Sequence, residues 1–283
     1  MRKKQLIIAG IGLVFVLLLF TFGSTVAPKS KTAVAPAPHA AENFDIHHFI
    51  EDEKKHLSPS KLAYLGKLEN SVTRGDVHSQ LITANTQIAN FWKDSARSLE
   101  LYVYYLSEAA KLDKSEKNLT FAAQLILEDL RSEESEAKLS WKTEQAITYF
   151  EQAIALYPNN DDLKVGLGSC YIYGKGRVGG AEETMKGIQQ LLGVVRKDST
   201  NMKAQMMLGI GGYVSGQYDK AVERFQKVIT AQPGNLEAIA FLADTYAAKG
   251  DKTEAIKWYQ ISKRLMNDPH YTEKVEERIK SLR

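Results

Sequence analysis

Prolines at regular intervals mark the ends of helix-forming segments in the second half of this chain. Pro233 and Pro269 are 36 residues apart, and Pro158 and Pro233 are 75 residues apart, which fits two units of 34 with a seven-residue insertion. Between these prolines apolar residues recur every three or four positions, as on one face of an α-helix. No stretch after residue 44 alternates with a period of two for long enough to form a sheet. The sequence therefore predicts an all-α fold built from repeated units.

The composition excludes several other classes of protein. Hydrophobic residues make up 44% of the 283 positions, which is enough for a sizeable core and excludes wholesale disorder. The single cysteine, Cys170, excludes an intrachain disulfide framework and a Cys-rich zinc module. Residues 1–44 hold five cations and one carboxylate, so the remaining residues carry a net charge of −1. Such a body lacks the basic surface that is typical of nucleic-acid binding.

The first 22 residues predict a membrane-spanning segment. Cations at positions 2–4 precede an apolar run at 6–22, whose helical length of ~26 Å is just enough for a hydrocarbon core. We expect a retained signal-anchor that contacts the lipid bilayer of a bacterial inner membrane, with a cytoplasmic N-terminus and a periplasmic body. The alternative is a cleaved signal peptide and release into the periplasm. The run is longer than a usual signal-peptide core, and Pro28 follows the small-residue site at 25–27.

The rest of the chain divides into a linker and a helical body. Residues 23–43 are rich in Ala and Pro and predict an extended tether. The final segment has one apolar stripe among charged residues, which is typical of a helix that caps a repeat array. We therefore expect the body to contain irregular helices in residues 44–135, repeats in 136–269 and a capping helix in 270–283.

The repeated unit resembles the tetratricopeptide repeat, a pair of helices with a period of 34 and apolar residues at fixed places. In the clearest unit, Leu208 and Gly209 match the first helix, and Ala221, Phe225 and Pro233 match the second. Neighbouring units have small and aromatic residues at the same places. These further matches are Ala146, Phe150, Pro158, Leu167, Gly168, Tyr171, Leu242, Ala243, Tyr246, Ala255 and Tyr259.

This resemblance implies a right-handed superhelical solenoid of antiparallel helix hairpins, preceded here by the transmembrane helix. Each hairpin would bury its apolar face against its neighbours. Gly212 departs from the family pattern, which prefers Tyr there, although Tyr213 is adjacent. Members of the family usually bind peptides or partner helices on the concave surface made by their first helices. The resemblance places a partner-binding groove at Val165, Ser169, Ile172, Tyr173, Lys203, Met206, Ile210, Tyr213, Glu237 and Asp244.

The residue types in this groove predict the kind of partner. Val165, Ser169, Met206 and Ile210 stand where one subset of the family uses Lys and Asn to grip a C-terminal carboxylate, so capture of a chaperone tail is not expected. An apolar strip with one adaptable methionine favours an amphipathic protein or peptide segment. The alternatives are packing of the strip within the chain and burial in a homo-oligomer.

One group of side chains has a spacing that could serve a metal. His48, Asp52 and His56 are four residues apart, so a helix would place two imidazoles and a carboxylate on one face. Lys54 and Lys55 crowd the same turns, and a solvated charged face is the preferred interpretation. We expect no metal site, no cofactor and no catalytic residue.

Two further features favour structural roles. The Gly-rich segment 174–180 lacks the spacing and the hydroxyl of a phosphate-binding loop, so it predicts a structural loop. Contact with a partner through Lys175 and Arg177 is the alternative. Cys170 lies between Gly168 and Tyr171 in an apolar segment, and is predicted to be a buried packing residue.

These expectations describe a non-catalytic, membrane-tethered scaffold or adaptor that mediates protein–protein interactions at the extracytoplasmic face of the inner membrane. A holdase-like assembly factor for exported proteins, as in cytochrome maturation modules of the same family, is the alternative. A metal-dependent enzyme that uses His48 is a remote third interpretation.

Overall fold

The computed structural model describes residues 44–74 and 77–283, and none of these residues lies in a strand. The predicted signal-anchor at 1–22 and the linker at 23–43 lie outside the described residues. Within the described part of the chain, no helix combines the length and the apolar character that a bilayer crossing requires.

The described residues form thirteen α-helices, which we number in chain order. Two short π-helical turns, Trp92–Ala96 and Tyr171–Lys175, extend the third and seventh helices. The helices are α1 Ile46–Lys55, α2 Pro59–Arg74, α3 His78–Phe91, α4 Leu99–Asp113, α5 Glu116–Leu130, α6 Glu136–Leu156, α7 Asp161–Cys170, α8 Gly176–Lys197, α9 Met202–Val214, α10 Tyr218–Ala231, α11 Leu236–Lys249, α12 Lys252–Met266 and α13 Pro269–Leu282.

The helices that open successive units begin at similar caps. We call α7, α9, α11 and α13 the first helices. Asn160, Asn201 and Asn235 precede three of them, and each side-chain oxygen accepts a backbone N–H of the first turn at 3.0 Å. These bonds satisfy donors that a helix start leaves unpaired. Successive caps are 41 and 34 residues apart, which repeats the unit length and the seven-residue insertion.

Small and large residues pair between the two helices of a unit. A Cβ added to Gly209 of α9 would lie 2.5 Å from the Phe225 ring of α10, so only glycine lets the ring lie there. Ala243 and Tyr259 pack in one cluster at the corresponding positions of α11 and α12. Gly168 instead lies against Leu191 and the Gly187 backbone of α8. The predicted repeat residues therefore fill a continuous helical core.

The Gly-rich segment 174–180 is helical, and the prediction of a loop is wrong. Its first residues complete the π-helical turn, and α8 then continues through a kink at Gly180, whose φ is +71°. Glycine is favoured there because side chains rarely adopt this conformation. Gly174 lies directly against Thr143, and Gly176 against Thr184. The insertion is accommodated because these glycines let helices approach where a Cβ would clash.

The earlier helices have their own cores. Leu65, Ile88, Trp92 and Leu101 are buried together among α2, α3, the first π-helical turn and α4. Helix α5 packs directly against α6 in the next cluster. Only residues 131–135 separate these two helices.

Candidate partner-binding surface

Side chains of adjacent first helices contact one another and define what we call the first-helix surface. Lys203 of α9 donates a hydrogen bond to Asp162 of α7 at 3.0 Å. The rings of Tyr213 in α9 and Phe241 in α11 meet edge to face, with centroids 6.0 Å apart. Further along, Arg278 of α13 donates a hydrogen bond to Asp244 of α11. Each of these contacts joins side chains of two neighbouring first helices, and in the first of them the two residues hold equivalent positions after their caps.

Half of the predicted groove residues are buried, which corrects the expectation of an open apolar strip. Val165, Ser169, Ile172, Met206 and Ile210 are each at most 8% exposed. The four apolar side chains lie in the core cluster that joins α7, the second π-helical turn and α9. The Ser169 hydroxyl donates to the Val165 carbonyl oxygen at 2.8 Å. Neighbouring helices pack so closely that these side chains fill the space between them. This is the alternative in which the strip packs within the chain.

The other predicted groove residues reach the surface wholly or in part. Lys203 and Glu237 are exposed, whereas Tyr173, Tyr213 and Asp244 are half-buried. Burial raises the pKa of Tyr213, and the Asp244 carboxylate raises it further. The accessible part of the surface is therefore polar and aromatic, and it offers hydrogen bonds and ring faces instead of an apolar strip.

A pocket of about 560 Å³ opens between α11, α12 and α13. It is lined by Ala240 and Asp244 of α11, Tyr259 of α12, and residues of α13 that include Tyr271, Lys274 and Arg278. Lys274 forms no ion pair with any other described residue. The pocket lining therefore combines the Lys274 ammonium, the Glu277 carboxylate and the partly exposed ring of Tyr271, whereas Tyr259 is buried.

A hydrogen-bonded group of three side chains lines one wall of this pocket. Tyr259 and Arg278 both donate to Oδ1 of Asp244, each at 2.5 Å. Burial and the neighbouring Asp244 carboxylate both raise the pKa of Tyr259, so the phenol keeps its proton at neutral pH. The Arg278 guanidinium also lies over the Tyr259 ring, 6.0 Å from its centroid. These contacts connect the three side chains along one wall of the pocket.

A second contact group involves the connector between α5 and α6. Arg131 donates from Nη2 to Oε1 of Glu237 at 2.5 Å, and its guanidinium lies 5.1 Å from the Tyr173 ring centroid. Burial raises the pKa of Tyr173 to about 12. The structure thus brings two predicted groove residues, Tyr173 and Glu237, to a guanidinium that the sequence did not indicate.

Both cations of the Gly-rich segment bind within the chain. Lys175 donates to Glu144 at 2.9 Å. Arg177 donates to the backbone oxygens of Leu130 and Glu133, at 2.7 and 2.8 Å. Both cations are therefore engaged within the chain, and contact with a partner through Lys175 and Arg177 stays an untested alternative.

Sequence reasoning missed Arg131, Tyr271, Lys274 and Arg278. The last three lie on α13, and the repeat period could have indicated them, because α13 follows α12 as the next first helix. Arg131 had no such signal, since it lies 106 residues from Glu237 in sequence.

The candidate metal residues do not converge. His48 Nε2 lies 3.2 Å from Asp52 Oδ2, and both side chains are exposed. His56 follows the last turn of α1 as its C-cap. Among residues 44–74 and 77–283, no group of three or more His, Cys, Asp or Glu side chains is arranged to hold a metal ion. Cys170 is fully buried and burial raises its thiol pKa, so it packs as a neutral side chain, as predicted.

Two segments match sequence families described as tetratricopeptide repeats, namely residues 135–160 and 215–274. The first covers α6, and the second extends from the end of α9 into α13. These matches show tetratricopeptide repeats within the two segments. The described residues form an all-helical solenoid that is similar to arrays of this repeat. No curated protein sequence matches the chain at a significant level.

Solved structures share the fold at low sequence identity. A thermophilic tetratricopeptide repeat protein of Thermus thermophilus is 14% identical, with 71% of this chain and 98% of that chain covered and a TM-score of 0.51. A tetratricopeptide repeat protein from Parabacteroides merdae is 13% identical, with 83% and 92% covered and a TM-score of 0.50. These similarities extend the repeat fold over most of the described helices.

Proposed function

We propose that this chain is a non-catalytic scaffold that binds a protein or peptide on its first-helix surface. Repeat arrays of this kind use stacked helices to build extended binding surfaces. The observation that carries the proposal is the pocket between α11, α12 and α13. There Lys274 is exposed and the Tyr271 ring is partly exposed, and the Asp244–Tyr259–Arg278 group lines one wall.

The surface favours a polar segment over a purely apolar helix face. Lys203 and Glu237 are exposed and Tyr213 is half-buried, whereas the apolar groove residues are buried. A segment that carries carboxylate and aromatic groups would meet Lys274 and the tyrosine rings. Such contacts give orientation and specificity through hydrogen bonds and ring packing.

Affinity capture with the full-length chain tests this proposal. Met206→Asp is unsuitable, because it would place a charge in the core. The Tyr213→Ala/Lys274→Glu variant changes accessible groups, and we expect it to lose about tenfold or more of the captured partner while keeping its helicity. The matched control Tyr157→Ala/Lys186→Glu alters a tyrosine and a lysine away from the first helices and should capture normally.

Equal capture by both variants would contradict a binding role for this surface. A few stable partners would support a scaffold. Many unfolded clients would support the holdase-like alternative instead.

We further propose that the scaffold is tethered to the inner membrane of a bacterium, with its body in the periplasm. The support comes from the sequence alone, which places cations at positions 2–4 before the apolar run at 6–22. Protease added to spheroplasts should degrade the body while the membrane stays intact. Protection would reverse the orientation, and recovery of the body in the soluble periplasmic fraction would favour cleavage of the signal.

A further inference from the structure

Tyr173 and Glu237 together have the chemistry of a site for a guanidinium group. Tyr173 lies in the π-helical turn after α7, and Glu237 lies in the first turn of α11. One guanidinium contacts both, with an N–H donated to the carboxylate at 2.5 Å and the ring centroid 5.1 Å away. A carboxylate beside an aromatic face recognises arginine better than lysine, because the planar guanidinium both donates hydrogen bonds and lies flat on a ring.

The present occupant, Arg131, is weakly held. Its side chain is 48% exposed and that of Glu237 is 42% exposed. Ion pairs in such solvated positions contribute little to stability. Only one N–H of the guanidinium donates to Glu237, although the group could donate two in parallel. Loss of this contact should therefore leave the fold intact.

The connector that carries Arg131 is held in place by other contacts. Arg177 donates to the backbone oxygens of Leu130 and Glu133. The Glu133 carboxylate accepts from the buried ammonium of Lys142 at 2.6 Å. The Arg131 side chain can consequently leave Tyr173 and Glu237 by rotating, while the backbone on which it stands remains fixed.

We propose that Tyr173 and Glu237 form an arginine-binding site on the first-helix surface, which Arg131 occupies until an arginine of the protein partner displaces it. The inference rests on the proposed function, because it names the residue type by which a partner engages the same surface. Arg131 then acts as an internal competitor. The apparent affinity of the partner falls in proportion to the fraction of molecules in which the site is filled.

Ligand-observed NMR with a short peptide tests the site directly. The probe is an acetylated and amidated Ala-Ala-Arg-Ala-Ala peptide, and saturation transfer from the full-length protein to its arginine δ protons is measured. We expect the Arg131→Ala variant to give about fivefold more transfer than the wild type, because the competitor is gone. Arg131→Lys should fall between the two, and a peptide with Gln in place of Arg should show no such increase.

A second variant separates this site from non-specific attraction. Arg131→Ala/Glu237→Gln lacks both the competitor and the carboxylate, and should return the saturation transfer to the wild-type level. Circular dichroism should show unchanged helicity in all variants, since each change is at an exposed side chain. Equal transfer in the wild type and Arg131→Ala would overturn the proposal, as would transfer that persists in the double variant.

Failure of this inference is distinguishable from failure of the proposed function. If the arginine peptide gives no gain while Tyr213→Ala/Lys274→Glu still abolishes partner capture, the arginine site is wrong and the binding surface stands. If capture is insensitive to Tyr213 and Lys274, the proposed function fails regardless of the peptide result.

Discussion

Helices α6–α13 and helices α1–α5 build their cores by different rules. In α6–α13 a large ring lies against a position with little or no side chain, as Phe225 does against Gly209, and the arrangement returns one unit later at Tyr259 and Ala243. In α1–α5 the cluster around Trp92 shows no such pairing, and the one described glycine of this region, Gly66, has no atom near its added Cβ. The core of a repeat can be predicted from the sequence spacing of its small and aromatic residues. An irregular core cannot, because its packing depends on contacts that occur only once.

Polar groups differ between the two regions in the same way. In α6–α13 the asparagine caps recur from unit to unit. In α1–α5, Trp92 Nε1 and Ser98 Oγ are buried without a hydrogen-bond partner at the π-helical turn, where the chain leaves regular helix. π-helical turns often occur at functional sites. At this turn the Ser95 carbonyl oxygen accepts a hydrogen bond from Lys61 Nζ at 2.7 Å, and the Lys93 ammonium lies 5.3 Å from the Tyr102 ring centroid.

An ion cluster joins the two regions. The Lys142 ammonium of α6 lies 2.5 Å from Asp129, 2.6 Å from Glu133 and 3.4 Å from Glu100 of α4. Lys138 adds a second cation, 3.0 Å from Glu100. We call the place where α6 meets α4 and the end of α5 the junction. Because Lys142 is only 5% exposed, buried ion pairs take the place of apolar contacts there. This contact has no counterpart in the repeats.

The largest loss of stability should follow truncation of an aromatic side chain in the core of a repeat. Phe225→Ala removes a fully buried side chain from the core, and we expect the free energy of unfolding to fall by about 3–5 kcal/mol. Urea unfolding followed by circular dichroism measures this change. Phe121→Ala is the matched control, because that ring is 50% exposed, and it should change stability by less than about 0.5 kcal/mol. Equal losses in both variants would contradict the repeat core.

The second largest loss of stability should follow removal of the buried cation Lys142 from the ion cluster at the junction. Lys142→Met leaves Asp129 and Glu133 without their buried cation, and we expect a loss of about 2–4 kcal/mol. Lys186→Met removes a surface lysine that pairs only with Glu183 within one helix, and should cost about 0.5 kcal/mol or less. If the two lysine variants unfold at the same urea concentration, the ion cluster does not stabilise the junction.

The same cluster predicts a pH dependence of stability. Burial alone would raise the pKa of Glu100 and Glu133, but hydrogen bonds and the charges of Lys138 and Lys142 outweigh it, so both pKa values are lowered. A lowered carboxyl pKa stabilises the fold above the ordinary value of 4.5, and this contribution is lost as the pH falls through the folded-state pKa. Unfolding between pH 7 and pH 3 should show this loss, and Glu100→Gln should reduce the slope.

The smallest changes in stability are expected when two glycines of the repeat region are replaced by alanine. Gly250 ends α11 with φ at +87°, so Gly250→Ala should destabilise by about 1 kcal/mol. Gly193 lies inside α8 with no atom within 4 Å of an added Cβ, so Gly193→Ala should stabilise by about 0.5–1 kcal/mol. Differential scanning calorimetry of the two variants should show opposite shifts of Tm. Shifts of the same sign would contradict the assigned helix end.

Local signals in the sequence predicted much of the fold. Small and aromatic residues in phase with the prolines located Gly209, Phe225 and Tyr259 because adjacent helices in one hairpin are close in sequence. The same pattern could not predict the burial of Met206 and Ile210, because their exposure depends on how closely neighbouring hairpins pack.

The candidate site was predicted only in part for a related reason. Tyr173 and Glu237 were indicated by their places in the repeat, but Arg131 reaches them from the connector before α6, far away along the chain. The helical form of residues 174–180 was also missed. Glycines usually predict a turn, and here they allow close helix packing against Thr143 and Thr184.

Site-specific photocrosslinking tests the central claim, that the first-helix surface binds a protein partner. A photoreactive phenylalanine analogue replaces Tyr213, which lies on that surface, and in a second protein it replaces the exposed Tyr157 at the end of α6. Irradiation in the native host should give a discrete protein adduct from position 213 and none from position 157. An adduct from position 157 alone would contradict the account.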